Sequence, residues 1–264
     1  MDNTRRIVVN GLEIRERVVG KGDPVLMIHG WGANLELLGP LAQYLEGLDY
    51  RLYMLDLPGF GESAEPTAPY TIFDYAAFCV AYLNLHRLEQ VHYFGHSLGG
   101  RIGLILGSDH SNRLKTMVLS NSAGIKARQP LSSQLRLRVY RSLRKGLNRL
   151  GVPAIAQDLR RRYNKRYGSP DFQSASPVMR ATLINVVNQD LLPNAYRVNV
   201  PTVLIWGDAD TETPLWMGEK LEKAIPDAAL IVHEGAGHYA YLDYARRTAS
   251  IMNALYSNDD FQVT

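Results

Sequence analysis

Val91-His92-Tyr93-Phe94-Gly95-His96-Ser97-Leu98-Gly99-Gly100-Arg101-Ile102-Gly103 decides how this chain is read. The stretch is apolar and aromatic up to Gly95. Beyond the serine it turns apolar again, now at helical spacing, through Ile102, Leu104, Ile105 and Leu106. The pattern predicts a strand, a sharp turn at Ser97 and a helix. Glycines at 95 and 99 flank the serine because so tight a turn leaves no room for a Cβ beside it, and the serine backbone is strained. Such a turn pushes the Ser97 hydroxyl out of the sheet edge and aims the first free N–H groups of the next helix at whatever that oxygen attacks. This is a nucleophile elbow. Gly-x-Ser-x-Gly alone is a short pattern; its place between a strand and a helix gives it meaning. A serine so placed needs a base, an acid to hold the base, and donors for an oxyanion.

On both sides of this stretch strands and helices alternate. Ile7–Val9 and Leu12–Val19 read as strands joined by an Asn10-Gly11 hairpin turn. Val25–Ile28 is a continuous apolar run, as expected of a strand buried on both faces. Leucines 37, 38, 41, 45 and 48 recur at helical spacing, and Arg51–Leu55 is the next strand. Thr71 to Leu88 reads as a helix capped by Thr71 with Asp74 three residues on. Leu114–Leu119, Thr202–Trp206 and Ala229–Val232 are further strands, and Pro214–Ile225 and Tyr239–Tyr256 are helices. Such alternation implies a mostly parallel sheet covered on both faces, with the site at the carboxyl ends of its strands. From about 124 to 199 the alternation stops: helical stretches are separated by Pro130, Pro153, Pro170 and Pro177. That segment is expected to be a helical cap inserted into a core of residues 1–123 and 200–264.

Composition agrees with one domain carrying an insertion: 264 residues, 46% hydrophobic and 21% charged. A net charge of +3 gives no reason to expect nucleic acid. The single cysteine, Cys79, rules out an internal disulfide; beside Phe78, Val80 and Leu83 it is expected to be a buried, inert thiol. No apolar h-region follows Arg5-Arg6 and no apolar run approaches membrane-spanning length, so a soluble cytoplasmic protein is the expectation.

Of seven histidines, His86 and His110 lie near predicted helix ends and suit surface roles, and His92 and His233 fall within strands. His96 adjoins the serine but should point away from it, and His29 reads as a hydrogen-bonded structural residue. His238 stands apart, following Gly235-Ala236-Gly237 in a loop after the last strand, from which it can reach back to Ser97 as general base and then acid. The acid should follow an earlier strand. Ser120-Asn121-Ser122-Ala123-Gly124 has no carboxylate, whereas Gly207-Asp208-Ala209-Asp210-Thr211-Glu212 has three, of which Asp210 is preferred and Asp208 second. The backbone N–H groups of Leu98 and Trp31 are the expected oxyanion donors.

These motifs, in this order, resemble the α/β-hydrolase superfamily and its cap-bearing branch. His29-Gly30-Trp31-Gly32, Asp56-Leu57-Pro58-Gly59-Phe60-Gly61-Glu62-Ser63, the elbow, Trp206-Gly207-Asp208-Ala209-Asp210 and Gly235-Ala236-Gly237-His238 carry the likeness. It implies an α/β-hydrolase fold and a Ser97, Asp210, His238 triad, with the acid three residues after Gly207 favouring Asp210. It also implies a serine esterase with no metal or organic cofactor. Members that use an aspartate nucleophile are excluded by serine at 97. Hydrolysis of carbon–carbon bonds, lactones or amides by the same triad stays open. So does a receptor-like homologue with slow turnover.

Charge is unevenly distributed. Residues 126–166 hold thirteen Lys and Arg against one acid, Asp158, a net of +12, while the rest of the chain has 16 basic and 25 acidic residues. Either this is a solvated face or a landing surface for an anionic partner. Similar enzymes that hydrolyse methyl esters on acyl carrier protein dock it on basic cap residues, which makes acyl carrier protein one candidate partner beside a small-molecule ester. An anionic membrane surface is another.

Overall fold

The structure is a computed structural model and describes residues 4–126, 131–167 and 170–257. Eight strands form one sheet: β1 (Thr4–Val9), β2 (Leu12–Gly20), β3 (Asp23–Ile28), β4 (Tyr50–Leu55), β5 (Val91–His96), β6 (Leu114–Ser120), β7 (Thr202–Gly207) and β8 (Ala228–His233). Their order across the sheet is β1-β2-β4-β3-β5-β6-β7-β8. The first hairpin turns at Asn10 and Gly11, with φ of 50° and 79°, the left-handed pair that a two-residue hairpin turn of matching twist requires. β2 runs antiparallel to β4, and every pairing from β4 to β8 is parallel.

Period-two alternation divides the central strands between two cores. Val25 and Met27 of β3 join Phe94 and face α1 (Gly39–Leu45) and α11 (Ala245–Tyr256), through Leu41, Leu45 and Met252. Leu26 and Ile28 face the opposite core of α2 (Ile72–Leu85), α3 (Leu98–Asp109) and α9 (Leu215–Ala224), built on Phe78, Ile102 and Leu221. Both faces of β3 and β5 are thereby buried, which is why their sequences carry no polar alternation.

Helix boundaries differ from the sequence reading where local geometry intervenes. Thr71 and Asp74 form the expected capping box, but α2 stops at Leu85 and the chain turns at Arg87, whose φ is 56°. The helix after β3 starts as a 3₁₀ turn, Leu35–Leu38, capped by the Asn34 side chain, and Leu48 falls beyond its end. The long terminal helix is interrupted: α10 (Ala240–Asp243) and α11 are separated at Tyr244. There the Tyr244 ring stacks on His233 at 4.5 Å and its hydroxyl donates to the Glu234 carbonyl, contacts that hold the residue outside helical geometry.

Between β6 and β7 the described residues form helices alone: α4 (Leu131–Arg149), α5 (Pro153–Tyr167), α6 (Pro170–Ser174), α7 (Pro177–Asn188) and α8 (Leu192–Ala195). Pro153, Pro170 and Pro177 each open a helix, where a missing N–H costs nothing; Pro130 lies outside the described residues. α7 rests on the loop after β4, where a Cβ on Gly59 would lie 2.3 Å from Met179 Sδ. The segment after α7 returns to the end of β6, with Leu191 N–H donating to the Gly124 carbonyl at 2.8 Å. Among the described residues no helix is long and apolar enough to cross a membrane.

Candidate active site

Ser97 adopts φ 50° and ψ −100°, a conformation that a non-glycine residue keeps only when its surroundings enforce it. Those surroundings are backbone. Ser97 N–H donates to the Ser120 carbonyl at 3.1 Å, Gly99 N–H to the His29 carbonyl at 3.2 Å, and Ala123 N–H to the Ser97 carbonyl at 3.2 Å. The elbow is thus tied to the ends of β3 and β6. A Cβ on Gly95 would lie 2.5 Å from the Gly99 carbonyl oxygen, and one on Gly99 would lie 2.4 Å from that of Ile28. Side chains at either position would force the turn apart.

The loop after β3 lies against the serine: a Cβ on Gly30 would be 3.2 Å from Ser97 Cβ. His29 supports this loop as a fully buried structural residue. Its Nδ1–H donates to the Gly30 carbonyl at 2.7 Å, leaving Nε2 to accept from Leu57 N–H at 3.1 Å. The buried Asp56 carboxylate accepts from Leu35 N–H and Glu62 N–H, joining the loops after β3 and β4. Trp31 packs edge-on against Phe60, with ring centroids 4.8 Å apart.

His238 Nδ1 meets Asp210 Oδ2 at 2.9 Å. Asp210 also accepts from the Thr213 hydroxyl (2.6 Å) and Asn121 Nδ2 (2.7 Å), and from the backbone N–H of Glu212 (2.8 Å) and Thr213 (3.0 Å). Burial alone would raise this carboxyl, but the hydrogen bonds from His238, Thr213 and Asn121 outweigh it and hold the group well below the usual carboxylate range. Asp208 is elsewhere: its exposed side chain accepts from Gly235 N–H at 2.7 Å and shapes the β8 loop.

Ser97, Leu98, Trp31 and His238 line one cavity of about 280 Å³ with Arg101, Lys126, Leu183, Val186, Glu212 and Met217 among its other walls. The lining is mostly apolar with charge at three points. Arg101 is buried and donates from Nη1 to the Gln189 carbonyl; burial lowers it to about 10, which leaves it cationic at neutral pH. Glu212 Oε2 lies 3.5 Å from His238 Nε2.

Three contributors escaped the sequence reading. The strand end set aside for lacking a carboxylate supplies Asn121, a ligand of the acid rather than the acid. Thr213 does the same from within the β7 loop. His96 indeed does not point at the cavity, yet its Nε2–H donates to the His238 carbonyl at 2.9 Å, and burial lowers it to about 3, so it is neutral. No local signal marks these residues: Asn121 acts across 89 positions and His96 across 142, and Thr213, though only three residues from Asp210, is an ordinary residue for a loop. The surface role expected of His86 is corrected: its Nε2 lies 2.8 Å from the buried Glu16 carboxylate, a pair that forms only because β2 passes under α2. Cys79 is buried as expected, its thiol pushed up to about 12.

A mostly parallel sheet with a strained serine between β5 and α3, and an Asp-held histidine lining the same cavity, is the arrangement of an α/β-hydrolase fold. A family profile described as alpha/beta hydrolase fold matches residues 23–245, and the chain belongs to that family. It is 29% identical to a 2-hydroxy-6-oxo-6-(2'-aminophenyl)hexa-2,4-dienoic acid hydrolase of Metapseudomonas resinovorans, over 94% of this chain and 90% of the relative. It is 26% identical to a pimeloyl-[acyl-carrier protein] methyl ester esterase of Vibrio vulnificus, over 84% of this chain and 90% of the relative. Among solved structures, a hydrolase from Pseudomonas aeruginosa PA01 superposes with a TM-score of 0.74 at 20% identity, over 97% of this chain and 99% of the other, which speaks for the fold.

Proposed function

We propose that this hydrolase cleaves carboxylic esters through a Ser97 acyl-enzyme, with His238 as general base and acid and Asp210 as the group that holds it. The observation that carries the proposal is the 2.9 Å contact of His238 Nδ1 with a carboxylate that stays ionised, at the wall of a cavity shared with Ser97. With Nδ1–H committed to Asp210, Nε2 is left as the base. Ser97 Oγ attacks the ester carbonyl as Nε2 takes its proton. The tetrahedral oxyanion is stabilised by the backbone N–H of Leu98, which as the first residue of α3 has no intrahelical acceptor, and by that of Trp31. His238 then protonates the departing alkoxide, and a water repeats the cycle on the acyl-enzyme. Residues 124–199 act as the cap that closes the cavity, through Ile125, Lys126, Leu183, Val186 and Val187.

The same groups serve a second reading, hydrolysis of a carbon–carbon bond in a dienoic diketone, favoured by the 29% identity to such a hydrolase. Turnover of p-nitrophenyl acetate and butyrate, beside a dienoic diketone and an ester linked to acyl carrier protein, separates the two. Ester hydrolysis above roughly 1 s⁻¹ is within the ordinary enzyme range and also speaks against a receptor-like homologue. Ser97→Ala should abolish it, and a fluorophosphonate should add one adduct to wild type and none to the variant. Full ester turnover by Ser97→Ala would falsify the proposal.

A further inference from the structure

Among the described residues of α4 the apolar side chains share one arc, packed along one side and exposed along the other. On the inner side Tyr140 stacks on Tyr163 of α5 at 4.0 Å, and Leu147 is partly buried nearby. On the outer side Leu135, Val139 and Leu143, each four residues from the next, are 51–63% exposed, and Leu150 beyond the helix end is 78% exposed. At about 1.5 Å per residue this ridge runs for roughly 22 Å along the surface.

Cations border it. Arg138, Lys145 and Arg149 project along one edge of the ridge by helical phase and Arg136 along the other, and all are exposed. No Asp or Glu occurs between residues 131 and 157, and the next acid, Asp158, is already held by Arg161 and Arg162. A face made only to be solvated would not carry aliphatic side chains in an unbroken i, i+4, i+8 row.

We infer that the outer face of α4 is a membrane-surface docking site that lies on anionic lipid, with Leu135, Val139, Leu143 and Leu150 entering the acyl boundary and the flanking cations meeting headgroup phosphates. Shape and charge select this occupant. The ridge is convex, so a protein would need a matching groove, whereas a fluid lipid surface accommodates it directly. A second copy of this chain would bring two cationic borders together. The segment from 126 to 166 carries +12 on a chain whose remainder is acidic, so the charge asymmetry alone orients this side toward an anionic surface. The chain also leads from Ile125 and Lys126 of the cavity wall into this helix within five residues of Lys126. This inference is independent of the ester chemistry.

The test uses full-length Ser97→Ala, so that lipid turnover cannot interfere, in flotation with vesicles of phosphatidylcholine with and without 30 mol% phosphatidylglycerol. Binding is expected to need the anionic lipid and to fall at least tenfold in 0.5 M NaCl. Arg138→Gln, Lys145→Gln and Arg149→Gln together should weaken it about a hundredfold, at roughly fivefold per cation. Val139→Asp with Leu143→Asp should weaken it at least as much, while the same pair in the wild-type background leaves hydrolysis of a soluble ester unchanged. Absence of binding to the anionic vesicles, equal binding to both vesicle types, or full binding by the Asp pair would each overturn the inference. So would a solution dimer dispersed by the Asp pair without vesicle binding, which would give the ridge to self-association. Retention on an acidic carrier protein without vesicle binding would give it to that partner.

Discussion

His96 donates its Nε2–H to the backbone carbonyl of His238 at 2.9 Å, so the residue preceding the elbow serine holds the loop that carries the proposed base. The two rings are 4.8 Å apart, and Tyr239 and Tyr241 close the His96 ring in. One ring therefore ties the end of β5 to the loop after β8, across a register that the sheet itself does not control.

If His96 positions His238, replacing its donor should lower turnover without touching substrate affinity. His96→Phe, which fills the space but cannot donate, is expected to lower kcat about tenfold or more with KM little changed, since a small misplacement of a reacting group is costly. His96→Gln, which keeps a donor, should recover part of the loss. Equal kcat for the Phe variant and wild type would remove the positioning role.

Asp210 and Asp208 make a matched pair of probes. Asp210→Asn removes the charge that holds the His238 tautomer, and kcat should drop by on the order of 10⁴. It also places an amide among five donors, so its melting temperature should fall. Asp208→Asn keeps an oxygen that can accept from Gly235 N–H and should leave kcat within about twofold. Steady-state kinetics of the two purified variants decide the assignment, and a larger loss at 208 would reverse it.

Acid stability follows from the same groups. The Asp210 carboxyl is lowered in the folded state, so its contribution is complete above about pH 4 and is lost as pH falls through its lower folded value. His96 is also lowered, to about 3, but by burial of a neutral ring. Below about pH 6.5 the unfolded chain takes a proton that the native His96 refuses, so stability declines from there down to about 3. Burial lowers His29 and His233 in the same direction. Denaturant unfolding between pH 7 and 4 should show this decline, and His96→Gln should flatten it by up to about 1.4 kcal/mol per pH unit. An unchanged slope would mean that His96 titrates normally.

Gly99→Ala tests the elbow itself. The new Cβ would lie 2.4 Å from the Ile28 carbonyl oxygen and 3.1 Å from the Ile28 side chain, all within packed backbone. Destabilisation of about 1–3 kcal/mol or more is expected, with loss of activity in whatever fraction folds. Gly11→Ala, at a φ of 79° but in open space, should cost only the left-handed strain of about 1–2 kcal/mol and leave the site intact.

The elbow, the parallel strands and the candidate Ser, Asp and His were legible because each is a local pattern. A buried strand reads as an apolar run, a tight turn as glycine, and a loop at a strand end as Asp208–Asp210 or Gly235–His238. Asp210 is preferred over Asp208 from the sequence, with support from the family likeness, and only the fold shows five donors converging on one and a single loop contact on the other. Asn121, Thr213 and the His96 donor were invisible in one dimension. Asn and Thr are ordinary residues at any strand end, and a histidine's partner across 142 positions is set by packing. The break at Tyr244 was hidden for the same reason, since helical periodicity continues through it.

The strain at Ser97 was readable from Gly95 and Gly99, because steric exclusion acts between neighbours in the chain. What shares the cavity with the serine, a buried Arg101, an exposed Glu212 and a histidine held from two sides, comes from β3, β6, β7 and β8 meeting at one edge. Local sterics and hydrophobic period are written residue by residue. Convergence of charge and hydrogen bonds exists only once the sheet has ordered its strands.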